Sequence, residues 1–414
     1  AAWMAGCVAS AAGRGFGSQV DSSALFIERC AALLKPGGVV SLIVPAKLWK
    51  SLAGGGTREL LLRTTAIREV HDLTRASSLF DAAVYPSIIV ATAPAPVSNS
   101  GGIRIALHDD RGVSEWTTSV TDLALDDSPG SPWLLVPTDV RRSFRMVAEA
   151  GVPLAKSAFG RPVLGAKTGC NEAYVVRCDM NAVAFVSEDV VSVQTKQGVI
   201  RLESRLLRPL VRGESIRRWT VTPTDERILW PHDEQGSPLT ELPPLAGRWL
   251  AGWRTLLERR SDAGHRREWW EIFRTESADD SLPRVVWSDF GKRPRAAVIQ
   301  AGDRSVPINT SYVVRCPHSD DAHALTALLN SSIVAAWLNV IAEPARGGFR
   351  RYLGWTVSLL PIPVDWARAK ALLAPISIGA AEGQVPADNE LTEAVLGAYD
   401  IPHNHAAALV AWNR

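Results

Sequence analysis

The first ninety residues carry alternating helical and strand-like hydrophobic patterns. Apolar residues at helical spacing predict a helix over residues 24–34, with Gly37 and Gly38 as its left-handed stop. The run 39–44 is short, β-branched and continuously apolar, which predicts a strand buried on both faces. A helix near residues 57–65 and strands near residues 67–73 and 84–91 follow. This order is typical of the rear half of a doubly wound α/β sheet that ends in an antiparallel hairpin.

The pattern changes after residue 92. Pro, Ser, Gly and Asp dominate as far as residue 142, so we predict a linker with a small β extension. Residues 143–365 combine short strand-like runs, scattered Trp and one clear helix within 245–260, which predicts an α+β domain. A helical tail with an amphipathic segment at 391–399 closes the chain. The predicted domains are therefore 1–92, 93–142, 143–365 and 366–414.

Composition excludes several classes of protein. With 46% hydrophobic and 21% charged residues, the 414-residue chain is a folded protein with room for two or three domains. Five cysteines without a C-x-x-C pair favour buried free thiols over disulfides or a zinc site. No apolar run reaches the roughly 18 residues of a membrane span, and the N-terminus lacks the basic flank of a signal peptide, so we expect a cytoplasmic protein.

Charge is uneven along the chain. The net charge is only +2, yet residues 141–218 contain 14 Lys and Arg against 7 Asp and Glu. A local excess of positive charge on a nearly neutral protein is typical of a phosphate-binding face, although many such patches are simply solvated surface.

Two segments of the first domain resemble adenine-N6 DNA methyltransferases. Leu33-Leu34-Lys35-Pro36-Gly37-Gly38, followed by a strand and Pro45, is similar to the segment after the catalytic strand in these enzymes. Alone it is common to most Rossmann-like methyltransferases. The segment from Ser78 to Val90 resembles the hairpin motif F-x-x-A-x-V-x-x-x-I-x-V of the same enzymes. The resemblance implies an α/β fold whose Rossmann-like sheet is incomplete in this chain.

The second domain resembles the specificity domain of TaqI-like methyltransferases of the type IIG restriction-modification kind. The segment 164–175 is similar to its opening, G-x-x-T-G-x-N-x-A-F/Y-x-I. Four further ordered elements match the family, at residues 208–219, 250–272, 328–332 and 361–363. The resemblance implies an α+β domain that binds duplex DNA and a protein that uses S-adenosylmethionine as methyl donor.

The chain departs from the family because it lacks the Gly-rich first loop and the acidic residue of the second strand, through which these enzymes bind S-adenosylmethionine, and also the catalytic tetrapeptide. The N-P-P-Y/F/W tetrapeptide that polarises the target amino group does not occur in the sequence, and no catalytic residue is assigned. Since the cofactor and catalytic motifs precede these segments in the family and the chain opens on Ala1, we expect a truncated and inactive chain. The alternatives are a specificity subunit that works with a separate catalytic chain, or a fusion with a nuclease further upstream.

An enzyme that acts on a base in a duplex must flip the base out and stack it. Phe80 is the candidate for that stacking, at the place where the family has its aromatic residue, and a core role is the alternative. Gly165, Lys167, Thr168, Gly169 and Asn171 form a flexible loop in which backbone N–H groups can meet a phosphate and Asn171 a base edge. A plain β-turn is the alternative.

Basic residues supply the remaining candidates. Arg212, Arg217 and Arg218 can clamp phosphates, or form a solvated face. Arg346, Arg350 and Arg351 interleave with aromatic residues on a Gly-rich turn, which favours DNA contact. His318, Asp320, Asp321 and His323 lie close together, but we interpret them as a polar turn and predict no metal site.

Overall fold

The computed structural model describes residues 21–76, 85–93, 101–178, 185–187, 189–260, 267–345 and 348–412, with the backbone alone for 185–187. The helices are α1 Ser22–Ala32, α2 Lys47–Lys50, α3 Gly55–Thr64, α4 Val120–Leu123, α5 Thr138–Glu149, α6 Asn171–Tyr174, α7 Pro244–Ala251, α8 Arg254–Glu258, α9 Ser319–Leu329, α10 Ser332–Ile341, α11 Gly354–Ser358, α12 Trp366–Ala381, α13 Asp388–Tyr399 and α14 His403–Trp412.

The strands are β1 Val39–Pro45, β2 Ala66–Arg75, β3 Pro86–Thr92, β4 Ile103–Asp109, β5 Gly112–Thr118, β6 Gly151–Pro153, β7 Val163–Leu164, β8 Val175–Arg177, β9 Phe185–Ser187, β10 Val190–Thr195, β11 Gly198–Glu203, β12 Leu207–Val211, β13 Glu226–Leu229, β14 Arg284–Ser288, β15 Phe290–Gly291, β16 Ala296–Ile299, β17 Val306–Pro307, β18 Ser311–Arg315, β19 Glu343–Ala345, β20 Phe349–Arg351 and β21 Pro361–Pro363. The chain divides into two compact units: unit 1 is Ala1–Met146, Ala336–Arg351 and Asn404–Arg414, and unit 2 is Val147–Ala335 and Tyr352–His403.

Unit 1 is built on a five-stranded sheet of order β1-β3-β2-β4-β5. Because β3 is antiparallel to both β1 and β2, those two strands run in the same direction. β2 is parallel to β4, and β4 turns back into β5 as an antiparallel hairpin. Residues 101–118, within the predicted linker, therefore extend the same sheet.

In the core of unit 1, residues 130–133 pack against the helices α2 and α3 beside the sheet. Trp49 and Trp133 stack with their ring centroids 4.9 Å apart, and the Trp49 indole N–H donates to the Ser87 hydroxyl at 2.7 Å. The fully buried guanidinium of Arg58 donates to the carbonyl oxygens of Gly130 and Ser131. These contacts fix residues 130–133 against α2 and α3, since a buried cation must satisfy its donors inside the protein.

β1 differs from the prediction in its burial. Its bounds match the expected strand, but Val39 and Ile43 are each 63% exposed. Among the described residues β1 pairs only with β3 and so forms one edge of the sheet. The prediction that β1 is buried on both faces is therefore wrong for this part of the chain, because no described element covers those side chains.

Unit 2 holds two larger sheets. Seven strands form one sheet, ordered β11-β10-β8-β13-β12-β17 with β9 paired to β10, and the second sheet has the order β16-β14-β18-β7. A short pair, β21 with β6, lies apart from them. The buried residues of the seven-stranded sheet pack with α7 and with Ile272 and Ala278 in one hydrophobic cluster.

Helices of unit 2 correct two further predictions. The helix expected within 245–260 is two short helices, because α7 ends at Ala251 with Gly252 as its C-cap and α8 begins at Arg254. His318 precedes α9, and Asp320, Asp321 and His323 lie in its first turns, so these residues do not form a turn. No single described helix is long and apolar enough to cross a membrane; α9 and α10 reach that threshold only as a pair, across a 67° bend.

Candidate nucleic-acid interface

The loop between β7 and α6 is held closely by its neighbours. Gly165 packs against Ile308, whose carbonyl oxygen would lie 2.1 Å from an added Cβ, so a side chain cannot fit there. The backbone N–H of Gly165 donates to Ser311, that of Ala166 to Pro307 and that of Lys167 to Phe273, at 2.8–2.9 Å. These three N–H groups are engaged within the protein, so a phosphate would have to be met by other groups of the loop.

Arg260 holds the loop in place through hydrogen bonds. Arg260 is 7% exposed, and its guanidinium donates to the carbonyl oxygens of Thr168, Leu257, Trp269 and Glu271. Gly169 takes a left-handed backbone with φ of 67°, and a Cβ there would lie 2.6 Å from the Arg260 Cδ. Arg260 lies within the family-like element at residues 250–272, but nothing in the sequence distinguishes it from an exposed cation at the end of a helix. The buried guanidinium therefore sets the conformation of residues 168–169.

Thr168 orients Asn171. The Thr168 side chain is buried, and its hydroxyl donates to Oδ1 of Asn171 at 2.7 Å while accepting the Cys170 N–H at 3.2 Å. Asn171 itself is exposed at the start of α6. The bond from Thr168 to Oδ1 fixes the orientation of the amide, which leaves the amide nitrogen and one lone pair of Oδ1 for a ligand.

The three arginines of residues 212–218 have separate partners. Nε and Nη2 of Arg212 donate to the two carboxylate oxygens of Glu226 at 2.6 and 3.1 Å, and these bonds raise the pKa of the guanidinium. Arg217 is exposed and donates to the Glu214 carbonyl. Arg218 pairs with Asp388 at 3.0 Å and lies over the ring of Trp219. The structure therefore does not gather these three side chains into one cluster.

An open cleft brings the loop and Arg212 together. Its volume is about 470 Å³, which is in the usual range for ligand-binding clefts. Asn171 and Arg212 both line it, although they come from separate sequence motifs. The lining also includes polar side chains that the sequence did not single out, among them Glu172, Arg177, Gln194 and Glu226. They stand on four different elements, and their proximity depends on a strand register that the sequence does not reveal.

The remaining candidates lie elsewhere. Arg350 and Arg351 belong to β20 of unit 1, where Arg350 pairs in register with Pro344 and Arg351 with Glu343. Phe80 and Arg346 lie outside the described residues. Among the residues that the structure describes, no three His, Cys, Asp or Glu side chains converge as a metal site. In particular, His323 is buried and bonds to Ser377 and Gln300.

Comparisons with known proteins point to one group of enzymes. Residues 9–80 match the family of Eco57I restriction-modification methylases. The chain is 22% identical over 384 residues to the Type II methyltransferase M.XhoI of Xanthomonas vasicola and 25% identical over 409 residues to M.PaeR7I of Pseudomonas aeruginosa. These alignments cover 88% and 93% of this chain but 65% of each relative, so the chain spans about two thirds of their length.

One solved structure shares the fold. The Type IIL restriction-modification enzyme MmeI, solved in complex with DNA, superposes with a TM-score of 0.61 at 12% sequence identity. The match covers 99% of this chain and 54% of MmeI. The chain is thus a mixed α/β protein with the fold of part of MmeI, and it is distantly similar to DNA methyltransferases of restriction-modification systems.

Proposed function

We propose that this chain comprises the end of the catalytic domain and the DNA specificity domain of an adenine-N6 DNA methyltransferase of the restriction-modification kind. Unit 2 binds the duplex, and unit 1 contributes the rear of the methyltransferase sheet. The proposal rests mainly on one observation: Asn171 and Arg212 line the same exposed cleft. The two residues belong to different segments of the family resemblance, and the fold brings these segments together.

The described residues do not fit S-adenosylmethionine. Nucleotide-like cofactors bind where the carboxyl end of a parallel strand leads through a loop into a helix. In unit 1 the parallel strands β2 and β4 are connected through β3. β1, which runs in the same direction as β2, leads into α2 through the single residue Ala46 and not through a glycine-rich loop, and the sequence contains no N-P-P-Y/F/W motif. In this proposal the cofactor and the methyl transfer therefore belong to residues other than those described, in the same or a separate chain.

The residues of this chain serve recognition and positioning. The Asn171 amide reads a base edge, oriented by Thr168 and by the Arg260 anchor beneath Gly169. Phosphate contact is assigned to the basic candidates Lys167, Arg217, Arg218, Arg346, Arg350 and Arg351. Arg212, which is held by Glu226, helps to form the cleft instead. Phe80 is assigned to stacking of the flipped adenine. All of this takes place in the cytoplasm, where chromosomal and incoming DNA are both accessible.

Duplex binding by the full chain tests the proposal. We expect filter binding to show association with duplex DNA, and Asn171→Ala to weaken binding by about 1–3 kcal/mol on the preferred sequence only. Gln235→Ala is the control, because Gln235 is also exposed in unit 2 but lies in a separate turn. Absence of duplex binding by the wild-type chain would overturn the proposal.

A calorimetric titration tests where the cofactor binds. The chain mixed with S-adenosylmethionine should release no binding heat, because the described residues form no site for it. The same chain titrated with duplex DNA shows that the sample is folded and competent. A saturable isotherm with S-adenosylmethionine would contradict the assignment of the cofactor to other residues.

A further inference from the structure

Three side chains from adjacent strands form a row across the seven-stranded sheet. In the strand register, Gln194 of β10 lies opposite Arg177 of β8, and Arg177 lies opposite Glu226 of β13. Residues directly opposite each other project from the same face of a sheet. With strands about 4.8 Å apart, the row spans roughly 10 Å along the floor of the cleft.

The first two members of the row, Gln194 and Arg177, are accessible, and Glu226 at the other end is fixed. The Arg177 side chain is 67% exposed, and its nearest carboxylate oxygen, on Asp225, is 4.0 Å from Nε. Gln194 is also exposed, and its amide nitrogen donates to the Thr195 carbonyl at 2.9 Å, which leaves Oε1 as an acceptor toward the cleft. Glu226, by contrast, is held by both donors of Arg212.

The charges of the cleft favour base edges over phosphate. Each cation in it stands beside a carboxylate: Arg212 with Glu226, Lys196 with Glu172, and Arg177 with Asp225. Such pairs weaken attraction for a phosphate and place donors and acceptors side by side. Base pairs present the same mixture of donors and acceptors in the major groove of DNA.

We propose that Arg177 and Gln194 are specificity-determining residues that read base edges in the major groove of the bound duplex. The inference rests on the proposed function and deepens it. The Arg177 guanidinium has the geometry to donate to O6 and N7 of guanine, and the Gln194 amide to pair with N6 and N7 of adenine. Arg212 is a positioning residue, because its bidentate bond to Glu226 fixes the end of the row.

Selection from a random duplex library tests the inference. The full-length wild-type chain is incubated with the library, and bound DNA is captured and sequenced. Arg177→Ala and Gln194→Ala should each reduce the preference at one base pair by about 5- to 150-fold and leave the other positions unchanged. Arg177→Lys should show the same loss of preference with an unchanged salt dependence, because Lys keeps the charge but not the bidentate geometry.

Matched control variants distinguish a loss of base readout from a general effect of removing a charge or of misfolding. Arg315→Ala removes an exposed arginine from β18 of the other sheet, where it pairs with Asp279, and Gln235→Ala removes an exposed amide from a turn. Neither should change the preference at any position. Circular dichroism melts of all variants identify any that fail to fold, and for such a position Arg177→Lys or Gln194→Glu provides the comparison.

The outcomes distinguish this inference from the proposed function. If the wild type selects a sequence and the Arg177 and Gln194 variants select the same one, the inference is wrong while DNA binding stands. A uniform loss of affinity on all sequences would likewise overturn it, because that is the result of a phosphate contact. No binding by the wild type would overturn the proposed function, and the inference with it.

Discussion

Gly169 is under two constraints at once, its left-handed backbone and the Arg260 side chain packed against it. Arg260 cannot move aside easily, because four carbonyl oxygens accept its donors. A residue that reads as an ordinary loop glycine in the sequence is therefore a point where the candidate interface and the core of unit 2 meet.

Gly169→Ala should destabilise the protein more than a matched substitution. We expect a loss of about 1–2 kcal/mol from the left-handed backbone, with a further loss from contact with Arg260. Gly302→Ala is the control, because Gly302 has φ of 79° with no atom within 4 Å of an added Cβ. Urea unfolding of the two variants measures the difference. If Gly169→Ala and Gly302→Ala destabilised the protein equally, the Arg260 side chain would have to move aside for the new methyl group without cost.

His232 makes unit 2 sensitive to acid. The ring is 5% exposed; Nδ1 donates to the Gly236 carbonyl at 3.0 Å and Nε2 accepts the Ile272 N–H at 2.9 Å. Both nitrogens are therefore satisfied in the neutral form. Burial lowers the pKa of His232 from 6.5 to about 4. Protonation would break the bond from Ile272 and place a charge in the core.

The stability of the protein should consequently fall as the pH falls from about 6.5 to about 4. In this window the unfolded chain binds a proton at His232 that the folded chain does not, which destabilises the folded state by up to about 3 kcal/mol. Chemical unfolding of the wild type and His232→Gln across the window measures this. The variant should lose that part of the pH dependence, and parallel curves would contradict the assignment.

At the scale of elements, the sequence predicted unit 1 better than unit 2. The type and approximate position of α1, β1, α3, β2 and β3 follow from apolar periodicity. The helices α9 and α10 escaped notice because they are buried on nearly every face, including polar residues of α9, and so lack a single apolar stripe. The break between α7 and α8 was missed because the apolar pattern continues across Gly252.

Burial and the candidate site depend on information that the pattern lacks. The continuous apolar run of β1 indicates that something covers the strand, but not whether the cover lies within the described residues. Asn171 and Arg212 were found through motifs. The sequence did not reveal three other residues of the cleft, Arg177, Gln194 and Glu226. They become neighbours only through the pairing of β10, β8 and β13.

The exposed edge of β1 should promote self-association. Within the described ranges the outer backbone groups of β1, beside Val39 and Ile43, pair with no strand, and such groups offer a template for another strand. Ile43→Lys should reduce association in light scattering at rising protein concentration, with little change in stability, because Ile43 is already 63% exposed. Val113→Lys, on β5 at the opposite edge of the sheet, is the control and should not reduce it. If Val113→Lys reduced association and Ile43→Lys did not, the contact between copies would lie at the β5 edge.

At the scale of the whole molecule, the positive charge is spread over both units. Residues 141–218 carry 14 cations against 7 acids, and Arg350 and Arg351 stand in unit 1. Several of these cations already have partners, as Arg212 has Glu226 and Arg218 has Asp388. The number of phosphates that the chain neutralises is therefore smaller than the count of basic residues.

Salt dependence measures that number directly. Each neutralised phosphate releases counterion, so the logarithm of affinity should fall with the logarithm of salt at a slope of about −0.9 per contact. Arg217→Ala and Arg350→Ala should each make the slope shallower by about one if the residue meets a phosphate, and should weaken binding to every sequence alike. Arg254→Ala is the control, since Arg254 is exposed but paired with Glu258 on α8. Filter binding at several salt concentrations gives all four slopes. A flat response of the wild type would exclude phosphate contact, while equal slopes for all chains would exclude these two arginines from it.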